Sequence, residues 1–204
     1  MIQASINEGQ LKDFQRNGFL TIDKFIDLKY LDELKKRIYN HMYYSYFSNY
    51  IQSVKRRNMI VPKQLISDIR ESGGMSAVTQ AKCYRTRWDM HTVYDSFIEI
   101  SHKAIEVAES CPLATKTDTD GNPLKIPLYL NDTWGLIYTK GQSAQMHNHW
   151  PSLWSYTYCV FACEKCSPLV FPNAQEPLEV TPKTSQMIVF PSWLQHEVPT
   201  HTCD

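Results

Sequence analysis

The sequence lacks an excess of charge of either sign. Its 21 Lys and Arg residues balance 21 Asp and Glu residues in a chain of 204, and the isoelectric point is about 7.0. Without a field of one sign, general electrostatic attraction to nucleic acid is not expected. The short basic run at 55–57 is typical of a solvated face. We therefore expect no nucleic-acid surface and a function that depends on a localised site.

The sequence also lacks a leader and a membrane span. Its first residues, MIQASINEGQLKDF, do not have the basic start and apolar stretch of a secretory signal. No apolar run approaches the length of about 18 residues that a transmembrane helix needs. These two absences predict a cytoplasmic protein without membrane contact.

A disulfide framework is not expected, although the chain has six cysteines. Such frameworks occur in short secreted chains, whereas this chain is long and has no leader. Cys163 and Cys166 have the CxxC spacing that can bind zinc, but a zinc site needs a second ligand pair, and no second CxxC exists. A redox CxxC opens a helix, whereas this one separates two strand-like runs. We interpret it as a hairpin turn that carries two thiols.

The chain changes character near residue 125. Before this point, residues 7–17, 27–42 and 93–110 have helical patterns and 19–22 has a strand pattern. After it, turn residues separate many of the short β-like runs, which are 126–130, 133–140, 144–149, 153–162, 168–171, 178–181 and 186–190.

Helices followed by regularly spaced short strands predict an α+β fold. We expect a β-sandwich or barrel with N-terminal helices packed on one face. The chain would then consist of a helical support region with an early strand, 1–124, and a β core, 125–204, within one structural domain.

Three histidines form the candidate metal site. His147 and His149 are two residues apart, and such residues in a strand point to the same side, so both imidazoles could bind one ion. His196 follows a strand-like run and a tight connection, and could supply the third ligand from a neighbouring strand. Three ligands on one face leave open positions for oxygen-derived ligands. His201 is a competing third ligand, ranked lower because its position predicts a tail. No metal role is expected for His41, His91 and His102.

Longer motifs surround these histidines and resemble those of the 2-oxoglutarate/Fe(II)-dependent oxygenases. The similarity covers about residues 128–204 and looks most like a small branch of phage and bacterial type with HxH and FPSWLxH motifs. The matching runs are NDTW (131–134), YTKG (138–141), MHNH (146–149), SLWSYTY (152–158), SPLVF (167–171) and VFPSWLQHEV (189–198). The last run is the most specific. Residues 14–22, FQRNGFLTI, resemble more weakly the start of phytanoyl-type oxygenases.

The resemblance implies a double-stranded β-helix, a jelly-roll or cupin-like barrel, with Fe(II) near one open end. It implies an oxidoreductase, a dioxygenase that uses O₂ to convert 2-oxoglutarate to succinate while it hydroxylates a peptide side chain or a small molecule. The iron ligands would be His147, His149 and His196. The candidate cosubstrate-binding residues would be Tyr138, Lys140 and Tyr156, and core packing is an equal alternative for the two tyrosines.

Two features depart from the family pattern. Many relatives have Asp or Glu where His149 stands, so this site would consist of three neutral imidazoles and leave the ion more positive. The family also binds the far carboxylate of 2-oxoglutarate with an Arg or Lys soon after the last metal ligand, and none follows His196 here. Either the chain is cut before that strand, or Lys140, Arg85 or Arg87 takes this role.

Two other functions stay open. A cupin-like three-histidine metal dioxygenase, such as a thiol dioxygenase, uses no 2-oxoglutarate and would explain both departures. A non-catalytic barrel module would retain the histidines without chemistry. Trp134, Trp150 and Trp154 could line a pocket, although tryptophans of a barrel more often belong to its core.

Overall fold

A computed structural model describes most of the chain. The described residues are 6–26, 31–42, 81–86, 88–111, 119–121, 127–174 and 177–203. The basic run at 55–57 and Arg87 therefore lie outside the described part of the chain.

Three helices lie in the N-terminal part of the described residues: α1 (Glu8–Asn17), α2 (Leu31–Met42) and α3 (Asp95–Ser110). Helix α1 agrees with its prediction because both ends carry local signals. Asn7 and Gln10 form a reciprocal capping box, and Gly18 ends the helix with a left-handed φ of 77°. Helix α3 begins later than predicted because a short 3-10 helix, Met90–Thr92, precedes it. None of the described helices has both the length and the apolar character needed to cross a bilayer.

Ten short strands form the rest of the described framework: β1 (Leu20–Ile22), β2 (Ala81–Lys82), β3 (Tyr84–Arg85), β4 (Leu136–Ile137), β5 (Ser143–His147), β6 (Trp154–Cys159), β7 (Leu169–Phe171), β8 (Leu178–Val180), β9 (Gln186–Pro191) and β10 (His196–Val198). They make three sheets with the orders β1-β9-β6, β2-β5-β10-β7-β8 and β3-β4. Every strand pair in these sheets is antiparallel. Helices together with antiparallel sheets confirm the predicted α+β class.

The N-terminal part of the chain also contributes strands to these sheets. Strand β1 pairs with β9, β2 pairs with β5, and β3 pairs with β4. The sequence does not predict β2 and β3, because a strand of two residues has no detectable period. The helical region and the later β region therefore share their sheets.

Two strand predictions differ from the structure. Residues 127–130 form no strand, and only β4 is regular within the predicted run 133–140. For the run 133–140, the cause is backbone pairing outside a regular ladder. The Thr133 N–H donates to the Trp88 carbonyl at 2.9 Å, and the Met90 N–H donates to the Thr133 carbonyl at 3.0 Å.

Strand β9 is buried on both faces and separates two apolar cores. Met187 and Val189 belong to the first core, whereas Ile188 and Phe190 belong to the second, because alternate side chains of a strand point to opposite sides. The first core lies between the helices and the β1-β9-β6 sheet. Its helical members include Phe14, Leu34, Ile38, Phe97, Ile100, Ala104 and Val107.

The second core lies on the opposite face of the same sheet and extends to β7 and to the segment after β9. Phe171 is 0% exposed at its centre. Its ring stacks on Phe19, with centroids 4.6 Å apart, and meets the Phe190 ring edge-on at 5.3 Å. Phe190 in turn lies 4.9 Å from the His196 ring. This core therefore supports the end of the sheets where the histidines lie.

We expect Phe171→Ala to lower the free energy of unfolding by about 3–5 kcal/mol, because it leaves a cavity between the Phe19 and Phe190 rings. Urea-induced unfolding followed by circular dichroism measures the change. Phe161→Ala is the matched control, since Phe161 is 60% exposed and its main described contact is with Lys35. A loss below about 1 kcal/mol is expected there. Equal losses in both variants would contradict this account of the second core.

Candidate metal centre

The pairing of β5 with β10 brings together two of the three predicted metal ligands. His147 is the last residue of β5 and His196 is the first residue of β10, and they are direct partners across the strand pair. Their ring centroids are 4.4 Å apart. Residues directly opposite each other in an antiparallel pair have close side chains. The distant ligand therefore arrives from a neighbouring strand, as the sequence indicates.

The third histidine reaches the site in a different way from the one predicted. His149 lies beyond the end of β5, so the two histidines of the HxH motif are not on one face of a regular strand. The His149 N–H donates to the Ser192 carbonyl at 2.8 Å, and its carbonyl accepts from the Ser152 N–H at 3.0 Å. The ring lies 5.0 Å from both other imidazoles and is turned by 89° from His147. A turn after the strand therefore directs His149 toward the other two rings.

The ligand nitrogens of His147, His149 and His196 all lie within 4.8 Å of one another. Two nitrogens bound to one ion at about 2.0–2.2 Å are about 3–4 Å apart, so small ring rotations suffice. The structure therefore brings together the three residues that the sequence singled out.

Two serines of the sequence motifs hold this arrangement. The Ser155 and Ser192 hydroxyls are 2.7 Å apart and hydrogen bond to each other. The Ser192 N–H also donates to the Leu153 carbonyl at 3.0 Å, while its own carbonyl holds His149. Ser192 thus connects the start of β6 with the loop before His196. The sequence shows these serines only as parts of motifs, and the structure gives them a positioning role.

Hydrogen bonds orient two of the imidazoles. Nδ1 of His147 lies 2.7 Å from the Gln145 carbonyl, and Nδ1 of His196 lies 3.1 Å from the Leu194 carbonyl. A carbonyl can only accept, so in each ring Nδ1 carries the hydrogen and donates. This leaves Nε2 with its lone pair available, the arrangement found in metal-binding histidines.

Burial keeps two of the three imidazoles, His149 and His196, uncharged. It lowers the pKa of His149 to about 4, with a smaller effect from neighbouring His147. It also lowers the pKa of His196 to about 4, against the hydrogen bond to the Leu194 carbonyl, which raises it. An imidazolium loses much of its solvation in such a place. Both rings are therefore neutral near pH 7, which is the form that binds a metal ion.

Aromatic side chains surround the histidines. Trp134 meets the His149 ring edge-on at 5.7 Å and contacts Trp88 at 4.4 Å. Trp150 is 70% exposed. Trp154 instead packs on Phe14, with centroids 5.6 Å apart, in the core beneath the helices. Of the three tryptophans that the sequence suggested for a pocket, Trp134 is the one that contacts a histidine of the site.

The hydroxyl of Tyr156 lies in the core. It is 2.8 Å from the Ser101 hydroxyl on α3 and 2.7 Å from the Thr133 hydroxyl. Burial raises the pKa of Tyr156, and these two hydrogen bonds oppose the rise. The Tyr156 hydroxyl therefore connects α3 with the segment that contains Thr133, and its role in cosubstrate binding stays a prediction.

Tyr138 and Lys140 lie near the other end of β5. The Tyr138 ring stacks on His201 with centroids 4.9 Å apart, and burial, followed by the effect of Cys83, raises its pKa. Lys140 is exposed in the turn before β5. His201 pairs with Gln142 through its backbone, N–H to carbonyl at 2.8 Å. His201 therefore belongs to this end of the strand pair and not to the three-histidine group. It lies five residues after His196, which corresponds to roughly 16 Å of extended chain.

Arg85 is the most unusual polar group near the site. Its Nε and Nη1 atoms are buried and have no hydrogen-bond partner among the described residues. Its guanidinium lies 3.9 Å from the centroid of the Trp88 ring, and Trp88 contacts Trp134, which contacts His149. The sequence proposes Arg85 as one of three candidates, and no local pattern separates it from the others.

Comparison with known proteins finds structures of similar fold. No family model and no curated protein matches the sequence. The chain is similar to the crystal structure of a Pseudomonas putida prolyl-4-hydroxylase, with 11% identity, a TM-score of 0.54 and coverage of 95% of this chain and 91% of that chain. It is also similar to a Trichoplax adhaerens prolyl hydroxylase in complex with a hypoxia inducible factor oxygen degradation domain peptide fragment, with 14% identity, a TM-score of 0.56 and coverage of 95% and 82%. At these identities the likeness shows a shared fold.

We expect Tyr156→Phe to lower the free energy of unfolding by about 1–3 kcal/mol, because Ser101 and Thr133 lose a buried hydrogen-bond partner. Thermal and urea unfolding measure this loss. Titration of the metal-loaded variant with 2-oxoglutarate checks the competing role. A weaker affinity for 2-oxoglutarate at unchanged stability would show that the hydroxyl acts on the cosubstrate instead.

Proposed function

We propose that the chain is a 2-oxoglutarate- and Fe(II)-dependent dioxygenase that hydroxylates a peptide side chain or a small molecule. The observation that carries this proposal is the convergence of His147, His149 and His196, whose ligand nitrogens lie within 4.8 Å of one another. Two prolyl hydroxylases of similar fold support it. With it we propose that the two larger sheets form a double-stranded β-helix around the site.

The donor set fits Fe(II). Imidazole is a ligand of iron, and three ligands on one side leave the positions that a chelating cosubstrate and O₂ require. His147 and His196 direct Nε2 away from the carbonyls that hold Nδ1. When bound, Fe(II) together with 2-oxoglutarate supplies the activation of O₂ for hydroxylation of a C–H bond, with succinate and CO₂ as co-products. The protein keeps the His149 and His196 rings neutral, and Trp134 and Phe190 pack against these two rings.

Arg85 fits the far carboxylate of 2-oxoglutarate. A buried donor without a partner costs about 1–3 kcal/mol, and a bound carboxylate would remove this cost at Nε and Nη1. The guanidinium fork matches a carboxylate in shape and charge. Contacts through Trp88 and Trp134 connect Arg85 with His149. Lys140 is exposed, and its ammonium group lacks the forked shape that matches a carboxylate.

Exposed apolar side chains flank the three histidines in the chain. Met146, Trp150 and Trp193 are 50%, 70% and 58% exposed. Exposed apolar side chains next to a site can contribute to a surface that binds ligands or partners. Because one protein of similar fold is described in complex with a peptide fragment, we propose a peptide as the first substrate class to test and small molecules as the second.

The test is release of succinate by the purified chain. We expect release only when Fe(II), O₂ and 2-oxoglutarate are all present, with an increase when a hydroxylatable peptide or small molecule is added. His147→Ala and His196→Ala should abolish stoichiometric iron binding and turnover, because each removes one of three ligands. His102→Ala is the matched control, since His102 is exposed on α3, and it should behave as the unmodified chain.

Three results would overturn the proposal. Retention of stoichiometric iron by both ligand variants would reject the metal site. Iron-dependent O₂ uptake with a thiol substrate and no need for 2-oxoglutarate would favour the three-histidine dioxygenase. An absence of metal binding by the unmodified chain would favour a non-catalytic module.

We expect Arg85→Gln to raise the apparent KM for 2-oxoglutarate by about 10-fold to 100-fold, the loss that corresponds to one charge-assisted hydrogen bond. Iron affinity should not change, because no metal ligand is altered. Initial rates of succinate release at varied 2-oxoglutarate concentrations give the value, and Lys140→Gln is the control. If Lys140→Gln raises the KM and Arg85→Gln does not, the anchor is Lys140.

A further inference from the structure

A second group of possible metal ligands lies outside the three-histidine centre. The Sγ atoms of Cys163, Cys166 and Cys203 all lie within 4.8 Å of one another. The distance from Cys163 to Cys166 is 3.4 Å, and the distance from Cys166 to Cys203 is 3.8 Å. All three are free thiols. The sequence has no second CxxC pair, but the fold provides further ligands from the segment after β10.

The two measured distances are close to those of a zinc site. A tetrahedral zinc ion with Zn–S bonds of about 2.3 Å places neighbouring sulfurs about 3.8 Å apart. Thiolate is a soft ligand and selects zinc over the hard cations that prefer carboxylate and water. The three sulfurs can therefore occupy three corners of one tetrahedron with little rearrangement.

His201 is the candidate for the fourth ligand. It does not belong to the group of three thiols that already converge, so its ring must move closer to Cys163 and Cys166 when the ion binds. Its Nδ1 lies 3.6 Å from the Cys203 Sγ, and the two residues form a His-x-Cys pair. The ring is 7% exposed and is stacked on Tyr138, so its orientation is restricted. Three cysteines and one histidine are a common closed donor set of structural zinc sites.

The protein brings these ligands together through hydrogen bonds that do not need a metal. Cys163 and Cys166 form a turn in which the Cys166 N–H donates to the Cys163 carbonyl at 3.2 Å. The Cys163 N–H donates to the Cys166 Sγ at 3.2 Å. The Ser167 hydroxyl donates to the Thr200 carbonyl at 3.1 Å. The CxxC turn between β6 and β7 and the segment after β10 are therefore in contact next to the thiols.

We propose that Cys163, Cys166 and Cys203, with His201 as the fourth ligand, bind a structural zinc ion. The ion fastens the segment after β10 to the connection between β6 and β7. A closed set of four protein ligands leaves no position for a substrate, so the site stabilises the fold and takes no part in a reaction. This inference is independent of the proposed oxygenase function.

Zinc content of the full chain, purified under reducing conditions, tests the proposal. The double variant His147→Ala/His196→Ala removes the other metal centre, and we expect it to retain one zinc per chain by elemental analysis. Adding Cys203→Ser to this double variant should abolish the binding of zinc. Adding Cys159→Ser instead is the matched control, because Cys159 is a partly buried thiol outside the group, and the zinc should remain. Equal zinc in the Cys203→Ser and Cys159→Ser variants would overturn the assignment.

Cobalt substitution keeps the test informative even if a cysteine variant folds poorly. In the double histidine variant loaded with Co²⁺, we expect the near-ultraviolet thiolate-to-cobalt charge-transfer bands and the strong visible bands of a tetrahedral ion. Cobalt that shows no thiolate band would refute the site. Mass spectrometry that finds a Cys163–Cys166 disulfide and no zinc in freshly isolated protein would also refute it, and would assign the pair to redox chemistry.

Discussion

The antiparallel pairing of β5 with β10 is the constraint on which the candidate centre depends. It sets His147 opposite His196, so that two ligands from distant parts of the sequence share one place. Because side chains alternate along a strand, a shift of one residue in this pairing would turn one imidazole to the other face. The register shifts between His196 and Val198, so the pairing of the histidines is set locally, and the buried Phe190 ring beside His196 favours it.

Strand β9 connects the histidine site to the rest of the fold. Its two buried faces join the helix core to the core beneath the histidines, and its end leads directly into Ser192. That residue bonds to Ser155 and to the backbones of Leu153 and His149. The helical part of the chain contains none of the three converging histidines, yet it covers one face of the strand that positions them. The packing of the helices therefore supports the strand that holds the histidine site in place.

The two ends of the β5–β10 pair carry different chemistry. One end has three imidazoles in an apolar setting, whereas the other has backbone pairing of Gln142 with His201 followed by the thiol group that includes Cys203. Imidazoles with open positions suit a reactive iron, and a closed thiolate set suits zinc. If both proposals hold, ligand type and coordination number would keep the two metals apart.

The sequence by itself determined the features that depend on near neighbours. It contains the cap and the glycine that bound α1, the run of β9, and the two motifs that carry the histidines, because capping and periodicity act over a few residues. Only the tertiary structure decided that His149 approaches the other histidines from beyond the end of β5, and that Cys203 meets the CxxC turn. It also decided that two buried nitrogens of Arg85 have no hydrogen-bond partner among the residues that the structure describes. These facts depend on strand register and on turns between distant segments. Such contacts arise from packing of the whole chain, and no local pattern of residue types encodes them.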